Sequence, residues 1–190
     1  MSGEAETAVD DDPGEGTDRG PADRIAVTGT PGTGKTTATA LLEGEYDVIH
    51  LNERIKSDED LWTERDADRD TLVADLDAVR ERLGDWAGVL DSHLAHRFDV
   101  DRVVVLRCHP ETIESRLEAR GESTETTAEN AESEALDVIL SEAVAEHGAE
   151  SVYEIDATDR DPEAAADTIR AAIEGDREPS AGTVDFIDYI

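Results

Sequence analysis

The sequence predicts a three-layer α/β/α sandwich around a five-stranded parallel sheet. Three observations carry this. Five short apolar runs alternate with segments of helical spacing. One of them, Arg102–Arg107 (RVVVLR), has an unbroken β-branched and apolar interior, as a strand covered on both faces requires. A glycine-rich turn joins the first run directly to a helix, the strand–turn–helix opening of a parallel βαβ unit.

In chain order, Arg24–Thr28 (RIAVT) reads as the first strand and residues 34–44 as the helix after it. Val48–Leu51 is the second strand. Residues 70–83 place Leu72, Val73, Leu76, Val79 and Leu83 at helical spacing before Gly84, and predict a helix. Ala87–Asp91 is the third strand and Arg102–Arg107 the fourth. Pro110 opens a helix that ends at Gly121, and a longer helix is predicted over 128–147. Ser151–Asp156 is the fifth strand. A last helix is bracketed by the N-cap Asp161, Pro162 in the first turn and Gly175 at its end. The domains expected are an acidic disordered extension over 1–22, a domain over 23–175 and a tail over 176–190. The tail ends in the apolar Thr183–Ile190, expected to pack back on the domain or to dock on a partner by strand addition.

Composition excludes several classes. With 49 Asp+Glu against 17 Lys+Arg, the formal net charge of −32 repels nucleic acid, so no DNA partner is expected. No apolar run reaches the ~18 residues of a membrane span, and the first residues lack a signal-peptide layout, so a cytoplasmic protein without a membrane partner is expected. One cysteine, Cys108, excludes an intrachain disulfide framework. The acids run along the whole chain and only two basic residues are lysine, Lys35 and Lys56. That pattern suits a salt-rich, halophilic cytoplasm, where screening within ~3 Å near 1 M salt removes self-repulsion. A lysine kept against this bias has work that arginine cannot do.

Lys35 lies in Gly29-Thr30-Pro31-Gly32-Thr33-Gly34-Lys35-Thr36, which matches G-x-x-x-x-G-K-[ST] at every fixed position, after a strand and before a helix. Glycines let successive backbone N–H groups turn inward as an anion nest, and the helix N-terminus adds partial positive charge. Lys35 is a compact charge for the β- and γ-phosphates, Thr36 offers a hydroxyl to Mg²⁺, and Thr37 is placed for the α-phosphate. Gly32, Thr33, Gly34, Lys35, Thr36 and Thr37 are therefore candidate ATP-binding residues. Asp91, ending the third strand, is the candidate carboxylate for Mg²⁺, acting with Thr36 through water, and His93 points to the same crevice. Arg116 and Arg120 share a helix face, and Arg120 precedes a polar segment suited to a lid. Lys35, Asp91, His93 and Arg120 are the candidate catalytic set. Arg54 and Lys56 are candidates for holding an acceptor phosphate.

The run Thr28–Thr37, the Asp91-x-His93 pair, and Arg116-Leu117-Glu118-Ala119-Arg120-Gly121 with Glu129-Asn130 resemble the adenylate kinase isoenzyme 6 family, over about residues 24–174. The resemblance implies a P-loop fold of nucleoside monophosphate kinase type with strand order 2-3-1-4-5. It also implies γ-phosphoryl transfer from ATP to AMP or other nucleoside monophosphates, Mg²⁺ dependence and an ATPase side activity. It further implies a role in small ribosomal subunit maturation, through transient binding of platform ribosomal protein number eleven and the pre-ribosomal small subunit. By the same resemblance the acceptor insert lies near 50–72 and the lid near 119–129, with Arg120 as the lid arginine and Asp91 and His93 as the modified Walker-B pair. Glu125 and Thr126 stand where family lids often carry lysines. Two further readings stay open: an ATPase switch in ribosome assembly with little kinase activity, and a P-loop kinase of small metabolites.

Overall fold

The computed structural model describes residues 22–66 and 71–190. The extension expected over residues 1–22 lies, but for Ala22, outside the described residues. The central sheet contains β1 (Arg24–Thr28), β2 (Val48–His50), β5 (Gly88–Asp91), β6 (Arg102–Arg107) and β7 (Val152–Asp156). They are parallel in the order β2-β5-β1-β6-β7, which among the five sheet strands is 2-3-1-4-5 as expected.

Every residue of β6 is buried. Val104 and Leu106 face one core with Ile25, Val27, Tyr153 and Ile155, against α1 (Lys35–Ala40) and α7 (Pro162–Glu174). Val103 and Val105 face the other with Ala26 and Leu90, against α2 (Leu51–Ser57), α3 (Leu76–Leu83) and α6 (Val138–His147). Arg102, buried at the start of β6, donates from Nη1 to the carbonyls of Ala172 and Ile173 at 2.7 and 2.9 Å. The cation thus satisfies orphan carbonyls at the negative end of α7. No helix among the described residues is long and apolar enough to cross a membrane.

Two expected helices are corrected. The helix over 70–83 is in fact the strand β4 (Thr71–Ala74) followed by α3; β4 pairs antiparallel with β3 (Trp62–Asp66) in a separate two-stranded sheet. The break is Asp75, whose carboxylate accepts from the N–H groups of Asp77 and Ala78, both at 3.1 Å. A short polar side chain that caps a helix cannot also continue one N-terminal to itself. The single helix over 128–147 is α5 (Thr124–Ala135) and α6, divided at Asp137, which has φ +54°. The first helix is also shorter than 34–44. Residues 50–72 hold α2, a 3-10 turn, β3 and the start of β4, and residues 120–123 join α4 (Pro110–Ala119) to α5. The tail packs back on the domain: Ser180 N–H donates to Val152 O at 3.0 Å, extending the contacts of β7.

Candidate active site

The glycine-rich loop leaves the carboxyl end of β1, where parallel sheets gather their ligands. Gly29 has φ +137°, and a Cβ there would lie 2.3 Å from the Leu106 carbonyl oxygen, so only glycine lets the loop pass over β6. Gly34 has space around it but φ +97°, so its constraint is conformational. Lys35 is buried, with Nζ donating to the carbonyls of Gly29 at 2.7 Å and Thr30 at 3.0 Å. Burial lowers its pKa to about 8. Asp91 and Glu134 pull it back up, and Arg120 pushes it down. Thr36 and Thr37 are exposed on the first turn of α1.

Asp91 is buried at the end of β5, in register with His50 of β2. Its Oδ2 pairs with His50 Nδ1 at 2.8 Å, and His50 Nε2 reaches Glu43 Oε1 at 3.0 Å. Burial alone would lower the His50 pKa, but Glu43 and Asp91 outweigh it and raise it. Asp91 Oδ1 is buried with no hydrogen-bond partner among the described residues. An orphaned carboxylate oxygen is costly unless something comes to it. With the exposed Thr36 hydroxyl it makes an all-oxygen donor set that fits Mg²⁺, whose other oxygens would come from phosphate and water. His93 is half-buried; burial, then Lys35 and His96, lower its pKa to about 4. At pH 7 it is a neutral imidazole that can orient a water or phosphate and is a feeble base.

Arg116 props the loop from outside, donating from Nη1 to Gly32 O at 3.0 Å. Arg116 and Arg120, together with Arg160, line a cavity of about 230 Å³ beside Thr33, Gly34 and Thr37. A second cavity, of about 440 Å³, opens on the other side of the loop and is bounded by Thr30, Pro31, His93, Arg97 and Asn130. Asp91 and Arg120 both act electrostatically on Lys35, and Lys35 on His93, but Arg120 and His93 line different cavities. Arg54 and Lys56 are exposed on the last turn of α2, line neither cavity and are not among the charges that act on Lys35.

His50, Arg160 and Glu134 escape the sequence reading. His50 lies near the end of the predicted strand Val48–Leu51, and that position is a usable signal. Glu134 is one acid among 49 and carries none. In the fold it is buried, and its Oε2 accepts from Thr30 Oγ1 of the phosphate loop at 2.5 Å.

A 2-3-1-4-5 parallel sheet with this loop at its central strand, and lysine, carboxylate and arginine around it, defines a P-loop protein with a nucleotide-kinase fold. A family model described as an AAA domain matches residues 25–137. Proteins named "Putative adenylate kinase" align along nearly their whole length. That of Natronomonas pharaonis is 61% identical over 168 residues, covering 88% of this chain and 99% of its own. That of Halobacterium salinarum is 59% identical over 169 residues, with the same two coverages. That of Methanocaldococcus jannaschii is 39% identical over 178 residues, covering 88% and 97%. A solved deoxyadenosine kinase from M. mycoides with bound dATP covers 77% of this chain and 97% of its own at TM-score 0.45 and 16% identity. The chain belongs to this archaeal family of nucleotide kinases.

Proposed function

We propose that the protein is an adenylate kinase of the isoenzyme 6 kind, transferring the γ-phosphoryl group of ATP to AMP or a related nucleoside monophosphate. The observation that carries this is Lys35, buried in a glycine loop with Asp91 close enough to raise its pKa and a partnerless Asp91 oxygen in the same crevice. The triphosphate lies along the loop under the Lys35 ammonium and Thr36 and Thr37, with its base toward the cavity of Arg120 and Arg160. Arg120, on the connection to α5, lies over the transferring group; residues 119–129 act as the lid and 50–72 as the acceptor insert, with Arg54 and Lys56 approaching the acceptor when the insert closes. Mg²⁺ would be held by Asp91 and Thr36 and would supply charge neutralisation on the triphosphate. The chain's own part is alignment: phosphoryl transfer is sped mainly by positioning and fixed charge, with no covalent intermediate.

His93 favours a second activity of the same site. A neutral imidazole beside Asp91 can position a water for slow ATP hydrolysis, the chemistry of an assembly switch. A surface of −32 would meet a basic ribosomal protein sooner than ribosomal RNA. The test is incubation with ATP, Mg²⁺ and each monophosphate in molar KCl. ADP formation accelerated by AMP supports the kinase; AMP-independent slow hydrolysis alone refutes it in favour of the ATPase.

The lysine pKa predicts a pH dependence. Above about pH 8 free Lys35 loses its proton. Bound polyphosphate favours the charged form, so binding there takes up a proton. The Kd for ATP is expected to stay flat between pH 7 and 8 and then rise, approaching about tenfold per pH unit. Titration calorimetry in two buffers of different ionisation heat checks this; no proton uptake at pH 9 would exclude it.

A further inference from the structure

A line of buried charge runs from the phosphate loop to the end of the chain. Glu134 on α5 accepts Thr30 Oγ1 at Oε2. Its Oε1 accepts Arg107 Nε at 2.8 Å and the Cys108 N–H at 3.0 Å. Arg107 ends β6. Its Nη1 donates to Glu154 Oε1 at 2.6 Å, and its Nη2 donates to the Glu134 carbonyl at 3.0 Å and to the Asp137 carboxylate. Glu154 on β7 gives its other oxygen, Oε2, to the tail, accepting from Thr183 N–H at 2.6 Å, Thr183 Oγ1 at 3.0 Å and Val184 N–H at 3.2 Å. The Phe186 ring centroid lies 5.5 Å from the Arg107 guanidinium carbon and meets the His109 ring edge-on at 5.4 Å. Arg107, Glu134 and Glu154 are each 1–2% exposed.

Stability alone does not ask for this. Apolar residues of like volume hold a core at least as well as a desolvated ion network, whereas a network fixes one arrangement of its members. What is fixed here is Thr30, whose carbonyl also receives Lys35 Nζ, and the Glu134 charge acts on Lys35 as well. At the far end the tail holds by few apolar contacts, since Ile187 and Ile190 remain 51% and 66% exposed. A segment seated mainly by polar bonds is one that opens locally at low cost. When it opens, three donors leave Glu154 Oε2 and the network is left partly satisfied.

We propose that Glu134 is a positioning residue of the phosphate loop, and that the segment Thr183–Phe186 sets it through Glu154 and Arg107, so that seating of the tail and grip on a nucleoside triphosphate are coupled. This rests on the loop being a triphosphate site, as proposed above. Coupling is reciprocal: whatever seating the tail adds to ATP affinity, ATP adds to the seating of the tail.

The test uses the full chain in molar KCl with Mg²⁺ and ATP as the probe. Phe186→Ala and Thr183→Val alter partly exposed tail residues and leave the core intact, so both are expected to fold. Phe186→Ala is expected to raise the ATP Kd by about fivefold or more with kcat at saturation within about twofold, a KM effect without a kcat effect. In the wild-type chain ATP is expected to slow amide exchange at Thr183 and Val184 by a like factor. Glu134→Gln, which keeps an acceptor for Thr30 but drops the charge, is expected to abolish that slowing. If wild-type binds ATP but both tail variants bind within about twofold of it, or ATP leaves those two amides unchanged, the coupling is overturned while the site stands. If the folded wild-type chain binds no triphosphate, the site and the coupling fall together.

Discussion

Replacing Lys35 by methionine is expected to lower phosphoryl transfer by about 10²–10³-fold in kcat, the loss seen when one fixed donor to developing charge is removed from a dry site. The same substitution is expected to leave the thermal midpoint unchanged or higher. Lys35 is 7% exposed, and burial lowers its pKa to about 8 from the 10.5 of an ordinary lysine. Below pH 8 the folded chain therefore bears the cost of a desolvated ammonium, on the order of 3 kcal/mol, relieved only as pH rises from about 8 to 10.5. Methionine fills much the same volume without that cost, at the loss of the bonds to Gly29 and Thr30. A coupled ADP assay beside calorimetric melting in molar KCl reads both effects. Turnover within tenfold of wild-type would remove Lys35 from the chemistry, and a collapse of the midpoint would make it a structural residue instead.

That opposition between activity and stability explains what the sequence reveals. The strand runs, their order and the phosphate loop are legible because each rests on local chemistry: β-branched interiors for β6, glycine where the loop crosses Leu106, proline and aspartate at the start of α7. The misread segments are those where a polar side chain overrides a periodic pattern. Leu72 and Val73 fit a helix until Asp75 caps the next one, and the apolar spacing of Leu136, Ile139 and Leu140 hides the turn at Asp137. Asp137 adopts a left-handed backbone with no glycine to announce it, and its carboxylate is spent on Arg107, 30 residues away in sequence. Of the site, the loop, Asp91 and Arg120 could be placed from motif and strand ends. Glu134 could not, because its role arises only when the phosphate loop, β6 and α5 are brought together.

Arg107→Met is expected to be the most destabilising single change, about 3–5 kcal/mol, because it takes their paired guanidinium from two buried carboxylates and from that of Asp137. For a chain of this size that lowers the midpoint by on the order of 10 °C. Arg107→Lys is expected to recover only part: one ammonium lacks the planar fork that reaches Glu134, Glu154 and Asp137 at once. The decisive comparison is Arg107→Met combined with Glu134→Gln and Glu154→Gln. Neutralising Arg107, Glu134 and Glu154 removes the buried uncompensated charge and leaves only the partly exposed Asp137 carboxylate, so the triple variant is expected to melt well above Arg107→Met alone, the departure from additivity that marks contacting residues. Its ATP affinity is expected to stay low, since Thr30 then meets a neutral amide with no guanidinium to hold it. A loss below about 1 kcal/mol for Arg107→Met in denaturant unfolding would show that the network does not hold the fold. Restored ATP affinity in the triple variant would show that the network's charge is not what holds the loop.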